Sequence, residues 1–269
     1  MNALSEKVAQ RAELTVNPEA KPTKPAGISD LIRIMLPEIR KALPSVMTPE
    51  RFTRIALSAV KNTPKLAECT PISFLSALMN AAQLGLEPNT PLGQTYLIPY
   101  KNHGQLECQF QIGYKGLIDL AYRNERMQSI EAHTIYDNDE FRYELGLFPV
   151  LKHIPAWSDR GEMKGFYAIF RLDNGGYHFE VMSRGDIDAY AAVYSKAFTS
   201  DFSPWKTNYE QMALKTVLKR LLKTAPVKSE FRKAISMDES IKTELSVDMS
   251  EVQNEEVEVI AATASSVVS

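Results

Sequence analysis

The chain has 269 residues, of which 44% are hydrophobic and 24% charged, enough apolar material for a substantial core and ordinary for a soluble protein. Its net charge of −2 hides an asymmetry: from Asp238 onward eight acids stand against one base, Lys242, so this stretch carries −7 and the remainder +5. Two cysteines, Cys69 and Cys108, without CxxC spacing, exclude a disulfide framework and suit a reducing compartment.

Residues 1–27 lack the apolar core of a secretory signal and gather Pro18, Pro22, Pro25 and Gly27 near their end, so they are expected to be flexible. No run approaches the ~20 apolar residues that span a bilayer. A cytoplasmic protein without a membrane partner is the expectation. A single patterned domain is expected over 28–236, followed by an acidic, disordered tail over 237–269.

Within the body, a helical piece runs from near Ser29 to Leu43, bent or restarted at Pro37. "TPERF" and "TPISF" then each supply a threonine cap followed by proline at the first helical position, and Gly85 is placed to end the second of these helices. The period next changes to two: "QTYLIPY" and "LECQFQI" flank the turn-like "KNHGQ". A helix is predicted over 115–126, then strands near 128–136 and 140–145. A second hairpin joins "EMKGFYAIFRL" to "YHFEVMS" through Asp173-Asn174-Gly175-Gly176. Ser183 caps a helix through about Tyr194, and Ser203-Pro204-Trp205 opens a longer one through Lys223. Hairpins interrupted by helices indicate an α+β fold with a mainly antiparallel sheet packed on helices.

The stretch "QIGYKGLIDLAYR" brackets a lysine with glycines at a helix start, where free amides and the helix dipole attract anions. It is not a nucleotide loop of the Walker type, because the lysine precedes the second glycine and no Ser or Thr follows. Lys115, Asp119, Arg123 and Arg126 share one helix face, which reads equally as a solvated face with an Asp119–Arg123 pair. In "PWKTNYEQMALKTVLKRLLK" the lysines Lys215, Lys219 and Lys223 recur every four residues, with Arg220 at the margin and Ala213, Leu214, Val217, Leu218 and Leu221 opposite. Such a stripe is either a soluble helix face or a phosphate-tracking one. Aromatics interleave with the bases, among them Tyr96, Tyr114, Phe198 and Trp205; rings of this kind are core in most proteins and stack bases in single-strand binders. Catalytic signals are sparse. Asp137-Asn138-Asp139-Glu140 reads as a turn or a magnesium site, and Glu162-Met163-Lys164 matches a nuclease fragment that chance also supplies.

Taken together, "AAQLGLEPNTPLGQTYLIPY", "QIGYKGLIDLAYR" and "PWKTNYEQMALKTVLKRLLKTAP", in this order and spacing, resemble the RecT family of phage single-strand annealing proteins, over roughly residues 29–237. The resemblance implies an ATP-independent recombinase that coats single-stranded DNA, forms rings or helical filaments, and pairs the strand with its complement. It also implies a partner 5′-to-3′ exonuclease and a core of hairpin-rich sheet packed on a long helix. No cofactor is expected, and magnesium is expected at most to modulate DNA binding. Annealing needs no covalent step, so the expected site holds phosphates rather than reacting atoms. Lys115 and the Lys215/Lys219/Lys223 stripe are the first candidates for the backbone, with Lys101, Arg123, Lys206 and Arg220 second. Gly113 and Gly116 would admit close main-chain approach, and Tyr114, Phe198 and Trp205 would meet bases. A magnesium nuclease using Asp137, Asp139 or Glu162, and a scaffold whose basic helix binds an acidic protein, are the rival readings.

Overall fold

The computed structural model describes residues 27–195, 198, 203–226, 229–246 and 248–255. The expectations for residues 1–26 and 256–269 lie outside the described residues. The chain divides into two compact units, one built from residues 27–116 together with 229–255, the other from 117–226. The single domain expected over 28–236 is therefore corrected to two units, the second inserted in the first.

The first unit opens with α1 (Ile28–Ile34) and α2 (Leu36–Ala42), separated at Met35, so the interruption foreseen at Pro37 falls two residues earlier. Proline at the second position of α2 is tolerated because the amides of a first helical turn have no partner to lose. Helix α3 (Pro49–Asn62) starts as expected: the Thr48 hydroxyl accepts from the Arg51 amide at 3.3 Å. Helix α4 (Pro71–Leu84) ends at Gly85, whose φ of 58° is the left-handed conformation that favours glycine. Nearly every α4 side chain from Ser73 to Leu84 is buried, so this helix is covered all round. Strands β1 (Thr95–Asn102) and β2 (Gln105–Ile112) pair antiparallel from Thr95↔Ile112 to Asn102↔Gln105, and His103 and Gly104 form the turn with φ of 46° and 81°.

The acidic stretch is a structural part of this unit. After α9 (Ser229–Met237), the Asp238 carboxylate accepts from the Ile112 amide at 2.8 Å, and the Phe110 amide donates to the Ser240 carbonyl at 2.9 Å. The Ser76 hydroxyl donates to the Glu244 carbonyl, and the Met249 amide to the Gln83 side chain. Ile241, Leu245 and Met249 are buried. The Lys242 ammonium is buried as well, held by the Met249 and Val252 carbonyls, and desolvation lowers its pKa. A tail boundary after Met237 is thus overturned: the residues described through 255 bury an apolar set spaced every four residues. The density of acids in this stretch masks the apolar spacing of Ile241, Leu245 and Met249.

The second unit has three layers. Its central sheet runs β3 (Met127–Tyr136), β6 (Met163–Leu172), β7 (Tyr177–Ser183), all antiparallel, with the β6–β7 hairpin turning at Gly175 (φ 81°). Ser183 caps α6 (Arg184–Tyr194) in a capping box with Asp186, whose carboxyl this pairing holds below its ordinary range. One face of the sheet, with Phe166, Phe170 and Met182, takes α8 (Tyr209–Leu222), as the Phe166–Tyr209 ring contact at 6.1 Å shows. The other face, with Tyr167, Ile169 and Phe179, is covered by the β4 (Glu140–Glu144) and β5 (Val150–Ile154) hairpin through Phe141–Tyr167 and Tyr143–Phe179 contacts at 5.6 and 6.5 Å. The mixed fold with antiparallel hairpins is as expected. The long helix is not continuous, however: α7 (Pro204–Thr207) ends at Asn208, whose ψ of 49° breaks the helical path before α8 begins.

Candidate nucleic-acid interface

Helix α5 (Tyr114–Tyr122) begins where the first unit leaves β2. The Gly113 amide donates to the Gln94 carbonyl at 2.9 Å. A β-carbon at Gly113 would stand 2.2 Å from the Gly93 carbonyl oxygen, and one at Gly116 would stand 2.1 Å from that of Gln94. Both glycines therefore make room for the protein's own 93–94 loop on the side a β-carbon would take. Glycine marks close approach, and the sequence does not say of what.

The packed loop nevertheless positions Lys115. Its side chain is exposed and passes over Gly93, and it makes no ion pair among the described residues. Beside it lies Tyr96, which is 41% exposed on β1 with its hydroxyl and ring against Gly93 and Gly113. A cation, an exposed ring and the first amides of a helix thus share one surface of the first unit. Tyr114 is half-buried. Lys101 is exposed beside the β1–β2 turn and is likewise without an ion pair among the described residues. The weight of Tyr96 escaped sequence reasoning, although the strand period could have put it on the open side of the hairpin.

Arg123 belongs to the second unit and is bound to Asp119 at 2.7 Å, the i,i+4 pair of the plainer reading. In α8 the apolar face is as foreseen, with Ala213, Leu214, Val217, Leu218 and Leu221 buried. The lysine stripe is not a uniform solvent face. Lys215 is only 2% exposed, Lys219 is half-buried, and Lys223 at the helix end is exposed without an ion pair among the described residues. Arg220 is exposed but tied to Glu180 of β7 at 2.5 Å. Helical spacing orders these residues correctly around the axis; it cannot reveal that the helix is covered on both sides over 213–218.

Trp205 departs furthest from its expected role. It is buried, with its ring edge-on to Phe198 at 5.8 Å and to Tyr209 at 5.9 Å, and so anchors α7 rather than offering a face to a base. Phe198 is half-buried against it, and the residues flanking Phe198 lie outside the described set. Lys206, the next residue on α7, is exposed. Tyr209 donates to Asp188 at 2.7 Å, and burial with this partner pushes its phenol well above the usual range.

The acid cluster considered for magnesium is built as an anchor. Asp139 is buried and accepts from both Arg160 nitrogens at 2.6 and 3.0 Å, from His153 at 3.0 Å, and from the Tyr136 and Ala156 amides at 2.9 and 2.8 Å. The Arg160 guanidinium holds its carboxyl far below the ordinary range and also lies over the Tyr136 ring at 4.2 Å. A metal here would have to displace that arginine. Glu162 is exposed and faces Arg184 at 3.8 Å. Among the described residues no group of three or more His, Cys, Asp or Glu side chains is arranged to hold a metal, and no helix is long and apolar enough to cross a membrane.

These features describe a mixed helix-and-sheet protein in which one open cation, Lys115, lies beside an exposed ring at a helix start. Comparison with known proteins names the family. The RecT family model matches residues 50–259. Protein RecT of Escherichia coli K12 is 41% identical over 218 residues, covering 80% of this chain and 79% of that protein. The uncharacterized protein YqaK of Bacillus subtilis 168 is 30% identical over 214 residues, covering 77% of this chain and 71% of its own. The chain belongs to the RecT family, the phage-associated single-strand annealing proteins of DNA recombination that its three sequence blocks resemble.

Proposed function

We propose that this chain binds single-stranded DNA along its phosphate backbone, assembles on it, and pairs it with a complementary strand without nucleotide hydrolysis. The observation that carries the reading is Lys115: an exposed cation without an ion pair among the described residues, at a helix start, beside the open ring of Tyr96. Phosphates are drawn to such a start by the helix dipole, and a neighbouring ring stacks any base equally well. That tolerance suits annealing, where sequence is read by the second strand. Lys101, Lys206 and Lys223 are the further backbone contacts, each exposed on its own unit. Lys215 has a structural role in α8, and Gly113 and Gly116 serve by seating the loop beneath Lys115. A 5′-to-3′ exonuclease supplying the single strands is the expected partner.

The test is annealing of complementary oligonucleotides by the purified chain with no ATP present. Acceleration over the spontaneous rate is the expected result. A requirement for ATP hydrolysis, or degradation of input strands in magnesium, would replace this reading with a motor or a nuclease.

A further inference from the structure

The β4–β5 hairpin ends in an apolar tip left exposed among the described residues. Leu147 and Phe148 are 87% and 82% exposed, next to the exposed Leu145 and Tyr143. Consecutive bare apolar side chains of this size mark a contact surface, since an isolated Leu or Phe needs no explanation but a contiguous patch does. Behind the tip, between the hairpin and the sheet face it covers, runs a groove of about 490 Å³. Val150, Leu151, Ile169, Leu172 and Phe179 give it apolar walls, with Arg171 at the rim. The Tyr177 hydroxyl closes one side by donating to the Pro149 carbonyl at 3.0 Å.

The same unit thus carries an apolar knob and, from the strand that directly follows it, an apolar hole. Because Leu147 and Phe148 remain exposed, the knob does not fill the hole of its own chain. Charge matches as well. Glu144 flanks the knob, half-exposed while its carboxylate accepts from Arg142 on the same strand, and Arg171 at the hole is exposed with no ion pair among the described residues. We infer that the occupant of the groove is the β4–β5 tip of a second copy of this chain, so that Leu147 and Phe148 enter the groove while Glu144 approaches Arg171. Such a contact is heterologous: each copy offers its knob forward and its hole backward, and unless the rotation closes, copies add without limit. This rests on the reading above that the chain assembles, and gives that assembly an interface and a direction.

The experiment is mass photometry of the full chain with two variants, each checked for a wild-type melting temperature. L147S/F148S removes the knob, and V150E/R171E spoils the hole; all four positions are exposed. Each variant alone should associate at least tenfold more weakly than wild type. Mixed in equal amounts they should form dimers and nothing larger, because one intact knob meets one intact hole and both outer ends are dead. A knob variant that assembles like wild type overturns the inference, as does a wild-type chain that stays monomeric. A mixture of two monomeric variants that yields no dimer also overturns it, and points to a symmetric contact or another occupant such as a different protein. Strand annealing is measured separately on the same samples. Failure of wild type to anneal would reject the proposed function, while the mass distribution alone decides the interface.

Discussion

Two lysines of similar appearance in the sequence, Lys115 and Lys215, end in opposite surroundings. Lys115 lies in the open at the start of α5, over a loop drawn close by two glycines. Lys215 lies mid-helix in α8 and is 2% exposed, in a segment whose other residues from Ala213 to Leu218 are also buried. The difference teaches that a basic residue's role is set by what covers it, and that a four-residue spacing carries no information on coverage. Lys242 makes the same point within an acidic stretch: the one base among acids is buried, capping two carbonyls.

Deletion of all residues after Met237 should produce the largest effect. It strips Ile241, Leu245 and Met249 from the first unit, each worth about 1.5–3 kcal/mol by burial. The expected outcome is loss of the cooperative thermal transition of that unit, or a melting temperature lowered by many degrees. A truncated chain that melts like the full one would break the contrast between buried and exposed charge at its strongest point.

Lys215→Ala should come next, destabilising the fold by about 2–5 kcal/mol in chemical denaturation, as large-to-small changes in a core do. Lys215→Met keeps the stem but not the ammonium, and should recover only the packing part of that loss. If Lys215→Ala melts normally yet lowers the salt dependence of DNA binding, the residue faces DNA and its burial is misleading.

Acid should then separate buried pairing from surface charge. Asp248 is lowered to about 2, chiefly by the Ser250 hydroxyl and then by Lys233 at 2.9 Å. The unfolded carboxylate titrates near ~3.9, so the folded state holds its proton less tightly. The stabilisation is complete above that value and fades as pH falls from about 4 toward 2. Asp139, held lower still by Arg160, fades in the same direction and further into acid. Asp248→Asn should flatten the melting-temperature curve on the acid side and leave it unchanged in shape near neutrality. An unaltered acid limb would show that the pairing does not persist in solution.

Lys115→Ala should have the smallest effect on stability, within ~0.5 kcal/mol of wild type, as exposed substitutions commonly are. Its effect belongs to binding: one phosphate contact fewer should reduce the salt slope on single strands by ~0.7. A full-strength slope would remove Lys115 from the interface.

The elements legible in the sequence are those with local chemical signals. Thr48-Pro49, Gly85, the Asp173–Gly176 turn and the Ser183 cap each act within a few residues, and each stands where it was read. The β5 strand was missed because "VLKHI" is short and set between Pro149 and Pro155, and its partner β4 supplies the pairing. The break at Asn208 was missed because Tyr209 onward continues the apolar period. Of the candidate site, the sequence reveals which residues are basic and how they are spaced along a helix. It is silent on Glu180 reaching Arg220 and on Tyr96 lying beside Lys115, which join residues distant along the chain, and on Trp205 turning inward, since an aromatic at a helix start has no local mark of burial.

The return of the chain from α9 to β2 has a consequence for biosynthesis. The described part of the second unit is complete once Pro226 has left the ribosome, whereas the Phe110–Ser240 bridge and the burial of Leu245 and Met249 await the residues made after it. The inserted unit is therefore fully synthesised while the unit that surrounds it in sequence is unfinished, the opposite of an N-terminal-first order of completion. Until residues 240–249 emerge, the apolar face of α4 and the edge of β2 are without the cover those residues provide, so nascent chains stalled before residue 240 are the form most exposed to misassociation.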